Sequence, residues 1–402
     1  MMTFRWKFFW LLTLIIGSLQ CEEGDFLSFL NKSVSALDSS FKAAQSLQGK
    51  GPSFINSVYV ILDENGREYV IKLSNPVWQK AKTCNEVFAL QFLQDNASIP
   101  VPEIFLYENR AEQSPIGFEY IVMPKIKGRP LSSEIDRLYE DKAAYHDVLN
   151  QLADIVAEMQ TCPFDVIGNF ARYENQKLVV AGIVDFANYA LEQPCKAYSE
   201  YARHALSYYV QELEEKMQQR EENLFYNQIS SILLRLKNLV QLGNFSFLDK
   251  PTDRFVLSHQ DFVMKNILVD QSKVTAILDW EWSGAQLAEL EHMTGFDFLI
   301  SEDDVQYFDQ QLQQRGIYGF FSEPPPERQL FYHLMGEIYS LVAFEEWQEG
   351  RLEHTAKFLT QKLEQRKIRA IRDFDMTAFL TQLLSDLDQD LQAFSTYSLT
   401  VS

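Results

Sequence analysis

The sequence predicts an α+β protein: a small N-terminal part built on β-strands with one prominent helix, then a larger, mainly helical part. Three observations predict it. Short apolar runs bounded by turn residues fall at 58–62, 68–73 and 118–123, with one amphipathic segment, 83–94, among them. From residue 144 onward the dominant pattern is apolar residues at helical spacing, broken by one group of short strand-like runs between 255 and 278. The chain has 402 residues, more than one ordinary domain, and its 46% apolar content can fill sizeable cores.

The elements follow in order. Residues 1–24 form a separate segment: Met1–Lys7 is short and basic, 8–16 is apolar and acids begin only at Glu22. This is the shape of a signal peptide, which places the protein in the secretory pathway. An uncleaved anchor, an organelle presequence and a misassigned start codon are the alternatives, the last two with an organellar or cytoplasmic location. The apolar run is short for a bilayer span, and 17–21 is a poor cleavage site, so no stable membrane partner is expected unless the anchor reading holds. Residues 25–50 form an N-terminal helical extension, with a helix over 25–47 carrying Phe26, Phe29, Leu30, Val34 and Leu37 on one side. Residues 51–125 hold the strand-rich part. A loop of small residues, 49–57, precedes a strand ending at Leu62, and Asp63-Glu64-Asn65-Gly66 turns the chain into the strand 68–73. Val87, Leu90 and Leu93 give the helix 83–94 one packing side.

Residues 126–300 hold a helix over 144–159, a hairpin within 168–186, one or two long helices within 197–242, and strands at 255–257, 267–269 and 274–278. The hairpin lies either near a binding pocket or as surface decoration. Residues 301–402 read as helices at 302–314, 328–347, 352–365 and 374–394, with Pro324-Pro325-Pro326 opening the second.

Chemistry concentrates at the strand ends. Ser258-His259-Gln260-Asp261 and, a few residues on, Lys265-Asn266 occupy one loop, and Leu278-Asp279-Trp280-Glu281 follows the next hairpin. Two acids and an amide at such reach can hold Mg²⁺ on phosphates with one carboxylate and the amide while the other carboxylate faces an acceptor hydroxyl, which is what phosphoryl transfer asks of a protein. Taken alone, a His-x-Asp is more often a satisfied loop histidine beside a solvated carboxylate. Lys72 interrupts the apolar strand 68–73, so it either snorkels from an edge or is buried with a partner. Glu86, early in the helix 83–94, is that partner or a solvated acid of the first turn.

Together these residues resemble the aminoglycoside phosphotransferase and choline kinase-like group of small-molecule kinases, whose fold is two-lobed and protein kinase-like. The resemblance runs from about residue 53 to about residue 295 and is strongest over 257–282. It implies a small N-terminal β-sheet lobe with one key helix and a larger helical C-terminal lobe. It implies Asp261 as catalytic base with His259 shaping its loop, Asn266 and Asp279 as metal ligands, and Lys72 braced by Glu86 on the α- and β-phosphates. Asn56 and Tyr59 match the end of the nucleotide loop, and backbone groups near Met123 and Lys125 would meet adenine at the hinge. The implied cofactors are ATP, with GTP an open alternative, and Mg²⁺. The implied partner is a small molecule bearing a hydroxyl. The chain departs from the family pattern after Asp279, where Gly284 to Glu291 offers acids without the usual proline and further Asp.

The formal charge of −20 argues against a nucleic-acid partner, since phosphate binding needs clustered Lys and Arg. It suits either simple solubility or a cationic acceptor. Trp280-Glu281-Trp282 reads as lobe packing or as a cation-π box. Cys21, Cys84, Cys162 and Cys195 are too few and scattered for a disulfide framework or zinc site, and a Cys162–Cys195 bridge stays open. The rival readings are a protein kinase, which lacks its Phe-Gly and Ala-Pro-Glu marks after Asp279, and a nucleotide-binding pseudokinase or regulatory module without catalysis.

Overall fold

The computed structural model describes residues 23–47, 56–74, 81–182, 193–218, 226–293 and 295–332, with 334, 335, 338, 385 and 387–393. The expected leader, the loop residues 49–55 and most of the helices expected at 328–347, 352–365 and 374–394 lie outside the described residues.

The expected two-lobed, protein kinase-like arrangement is what the chain adopts. In the first lobe, strands β1 (Phe41–Ser46), β2 (Asn56–Asp63), β3 (Glu68–Ser74), β4 (Leu106–Glu108) and β5 (Glu119–Pro124) form an antiparallel sheet in the order β1-β2-β3-β5-β4. Asp63 Oδ1 caps the β2–β3 turn by accepting from the N–H groups of Asn65 and Arg67, and Gly66 takes the positive φ (+76°) that the turn needs. Period-two alternation divides β3 between two faces. Ile71 and Leu73 pack with Leu30, Val34 and Phe41 under helix α1 (Glu23–Leu37), so Lys72 points to the opposite face, toward helix α2 (Ala81–Asn96).

The helix expected to run to residue 47 ends at Leu37, and β1 follows as an edge strand on β2. The cause is local. Asp38 Oδ1 accepts from the Ser40 N–H and starts a turn, and Asn31 holds both main-chain groups of Ala44.

The second lobe holds helices α3 (Leu131–Glu140), α4 (Lys142–Gln160), α5 (Tyr198–Gln218), α6 (Tyr226–Leu242) and α7 (Glu302–Gln314). Ser301 and Asp304 close a reciprocal capping box at the start of α7. Two small sheets sit among the helices. One pairs β10 (Phe255–Ser258) with β13 (Gly284–Leu287) and β7 (Pro163–Phe164), and carries the expected hairpin, β8 (Gly168–Glu174) and β9 (Lys177–Val180). The other joins β11 (Ile267–Asp270), β12 (Lys273–Ile277) and β6 (Arg129–Pro130). The hairpin belongs to the sheet through β13 and packs on α2, where Tyr173 meets Phe92 edge-on, so it bridges the lobes rather than decorating a surface. Cys84, Cys162 and Cys195 are free thiols. Among the described residues no helix is long and apolar enough to cross a membrane.

The two small sheets fix the chemistry by register. Ser258 pairs with Gly284, and Ile267 pairs with Ile277. The loop 259–266 therefore leaves and re-enters the ladders opposite the turn 278–283, and the two segments lie side by side.

Candidate active site

Lys72, on the inner face of β3, is the centre of a buried ionic cluster. Its Nζ lies 2.7 Å from Glu86 Oε2, 2.5 Å from Asp279 Oδ1 and 2.9 Å from Glu281 Oε2. Glu86 comes from α2, in the first lobe; Asp279 and Glu281 come from the turn of the second. Burial works against the charge of Lys72, but the carboxylates of Asp279, Glu281 and Glu86 outweigh it and hold the ammonium well above the ordinary lysine range. Three acids compete for that lysine. Glu86, fully enclosed, is pushed up by burial to about 7 despite Lys72.

Asp279 has a left-handed backbone (φ 68°), which aims its carboxylate into the cleft before the short 3₁₀ turn Trp280–Trp282 turns Glu281 inward. The side chain of Asp279 is 28% exposed and that of Glu281 3%. Asp279 is thus the acid that faces the cleft. Behind it, Asn56 Nδ2 donates to Glu281 Oε2 (2.7 Å), and Lys82 Nζ donates to Asn56 Oδ1 (2.9 Å) and lies 3.9 Å from Glu281. Burial pulls Lys82 below the ordinary lysine range, partly offset by Glu281.

The loop 259–266 is held differently. Gln260 takes a positive φ (63°), so the chain doubles back and Asp261 is presented at the cleft, half-buried. His259 is fully buried. Its Nδ1 accepts from the Asp261 N–H (3.2 Å), so Nε2 carries the proton that goes to the Leu278 carbonyl (2.9 Å), and its ring lies 4.5 Å from that of Trp280. Burial keeps this imidazole neutral, with its pKa below the usual value. Both ring nitrogens of His259, the residue expected to shape this loop, are committed to main-chain groups. Asn266 Nδ2 donates to the main-chain oxygen and to Oδ2 of Asp261, both at 2.9 Å, and Lys265 Nζ lies 2.9 Å from Asp261 Oδ2. The Asn266 carbonyl accepts from the Leu278 N–H (2.8 Å), which ties this loop to the Asp279 turn. Gly295 supports it from beneath, where a Cβ would meet the Phe262 carbonyl at 2.4 Å.

The structure thus brings Lys72, Glu86, Asn56 and Asp279 into one cluster, with Asp261 and Asn266 on the loop beside it. Met123 and Lys125 do not serve as predicted. The Lys125 N–H donates to the Glu68 carbonyl (3.0 Å), and the β3–β5 register pairs Met123 with Val70 two residues along the same ladder, so the main-chain groups of both residues point at β3. The Trp280 ring is enclosed, which makes the aromatic run lobe packing rather than a cation-π box.

Four residues escaped the sequence reading: Lys82, Asn85, Glu281 and Glu291. Glu291 is fully buried; it accepts from the Ser258 hydroxyl and from the His259 N–H, and burial raises its carboxyl to about 7. Glu291, after the turn, thus braces the start of the loop 259–266. For Glu281 the only signal was its place in the Asp-Trp-Glu run.

A divalent cation fits this donor set. Asp279, Glu281 and Glu86 bring carboxylate oxygens within 4.8 Å of one another, and Asn266, whose nitrogen is committed to Asp261, has its oxygen left as a further hard donor.

A profile of the phosphotransferase enzyme family matches residues 49–330. A subtelomeric hrmA-associated cluster protein of Aspergillus fumigatus is 32% identical over 116 residues, 28% of this chain and 22% of that protein. The clavilactone A biosynthesis cluster protein Y of Ampulloclitocybe clavipes is 26% identical over 241 residues, 57% of this chain and 56% of that protein. The chain thus spans less than a quarter of the first relative and little more than half of the second. Among solved structures, ADP-bound aminoglycoside phosphotransferase APH(2'')-Ib superposes with a TM-score of 0.47 at 13% identity, covering 90% of this chain and 97% of that one.

Proposed function

This chain belongs to the phosphotransferase enzyme family, and from that premise we propose that it transfers the γ-phosphoryl group of ATP to a hydroxyl of a small molecule with the help of Mg²⁺. The observation that carries the reading is the convergence on one cleft of Lys72 with its carboxylates and of the Asp261 loop.

Each residue has a role that its surroundings support. Lys72, kept charged by its carboxylates, binds the α- and β-phosphates. Asp279, exposed to the cleft, and Asn266 through its oxygen hold the metal, with Glu281 adjoining. Bound there, Mg²⁺ neutralises charge on the phosphate oxygens. Asp261, aligned by Asn266 and Lys265, accepts the proton of the attacking hydroxyl. Adenine meets the edge of β5 beyond Met123. The outward groups there are the Pro124 carbonyl and the Ile126 N–H, which bonds to no other described group.

The test is an ATP-consumption screen of the purified protein against aminoglycosides, choline, ethanolamine, sugars and amino acids. Turnover with one acceptor class, Mg²⁺-dependent and lost in Asp279→Ala, is the expected outcome. Nucleotide binding without turnover across all classes would favour a binding module instead.

A further inference from the structure

We infer that Asn85 is a positioning residue of this site: its side chain bolts helix α2 to the Asp279 turn, so that Glu86 and Lys72 stand aligned before any nucleotide arrives. The inference rests on the phosphotransferase reading for its kinetic consequences and on geometry for the rest.

Asn85 is 3% exposed and precedes Glu86 in the helix. Its Nδ2 donates to the carbonyls of Glu281 (2.9 Å) and Ser283 (2.7 Å), and its Oδ1 accepts from the Phe170 N–H (2.7 Å). Both amide hydrogens and the oxygen are used, and all three partners are main-chain groups of the other lobe. Asn169 Nδ2 reaches the same Ser283 carbonyl from the hairpin at 2.8 Å. The carbonyl of Glu281 is thus tied to α2 while its carboxylate meets Lys72. Swinging the helix outward would strip three buried hydrogen bonds and orphan their main-chain partners, which are costly to leave unpaired. An aspartate cannot substitute, because its oxygens would face two carbonyls. Assembly of the lysine–glutamate pair consequently requires neither a modification nor a partner protein.

The experiment is a double-mutant cycle on ATP consumption, coupled to hydrogen exchange. Asn85→Ala should lower kcat about tenfold or more while KM for ATP moves less than about threefold, and in a Glu86→Gln background it should cost under about twofold, because the alignment it serves is already lost. Amides of residues 81–96 should exchange faster in Asn85→Ala, with those of 198–242 unchanged. Equal losses in both backgrounds, or unaltered exchange over 81–96, overturns the inference. Should the alanine variant not fold, Asn85→Ser, which retains one donor, carries the same cycle. If the wild-type protein neither binds nor consumes ATP, the phosphotransferase reading fails, and the exchange measurement alone decides whether Asn85 holds the helix.

Discussion

The two halves of the cleft are built on opposite physical terms. Around Lys72, charge is buried: one ammonium and two of its three carboxylates are almost wholly enclosed, and the helix that brings Glu86 is bolted down by Asn85. Around Asp261, its charged side chain and that of Lys265 reach solvent, and a neutral imidazole, an amide and the left-handed backbone of Gln260 give the loop its shape. The first half couples stability to function, because removing one member strands the others in low dielectric. The second separates them, because its acid can be neutralised without leaving a buried charge.

The largest expected effect tests that separation on chemistry. Asp279→Ala removes the cleft-facing carboxylate and with it metal and phosphate alignment, so phosphotransfer should fall on the order of 10⁴-fold or more, with Mg²⁺-dependent nucleotide affinity lost as well. Asp261→Asn should reduce transfer by roughly 10² to 10⁴-fold and leave nucleotide affinity intact, since the amide keeps the shape of the carboxylate. Titration calorimetry with ATP in the presence and absence of Mg²⁺ distinguishes the two variants. Full transfer by Asp261→Asn would remove it as the base.

Next comes stability. Lys72→Met leaves Glu86, Asp279 and Glu281 facing one another without their shared ammonium, and urea denaturation should show a loss of about 3 to 5 kcal/mol. Adding Glu86→Gln should restore part of it, because one of the stranded charges is then gone. By contrast Asp261→Asn should leave the urea midpoint within about 0.5 kcal/mol of the parent. If Lys72→Met were as stable as the parent, the cluster would not be the dry, coupled unit described here.

The same contrast explains what could be read from the sequence. Lys72 was legible because period-two alternation in 68–73 forces an interrupting lysine to one face of a strand, and Asp261, Asn266 and Asp279 were legible because their spacing spans one loop and one hairpin. Nothing in the local pattern distinguishes Glu281 from a solvated acid. Its inward turn follows from the left-handed backbone at Asp279 and the 3₁₀ turn after it. The side-chain hydrogen bonds of Asn85 all cross the lobes, at separations of 85 to 198 residues, so no window of sequence contains its role. The misreading of Met123 and Lys125 has another origin: the strand was placed correctly, but which residues point their main chain at β3 depends on ladder register. Residues 41–46 were read as helix because their composition alone does not choose, and the β2 edge does.

Glu291 tests the comparison where the two halves meet, since it is a buried carboxylate serving the neutral loop. Burial raises its folded pKa to about 7 from an ordinary value of 4.5, against the opposing pull of the Ser258 hydroxyl and the His259 N–H. The folded protein therefore keeps a proton that the unfolded chain releases between about pH 4.5 and 7, and stability from this group is complete below that window and lost as pH rises through it. Glu291→Gln retains an oxygen for the main-chain N–H groups, lets the Ser258 hydroxyl reverse and accept, and carries no titrating proton. Between pH 5 and 8 the urea-derived stability of the variant should gain on the parent by roughly 2 to 3 kcal/mol. Parallel profiles would mean that Glu291 is ionised and satisfied in the fold, and that the loop 259–266 rests on a buried charge after all, like the lysine cluster opposite it.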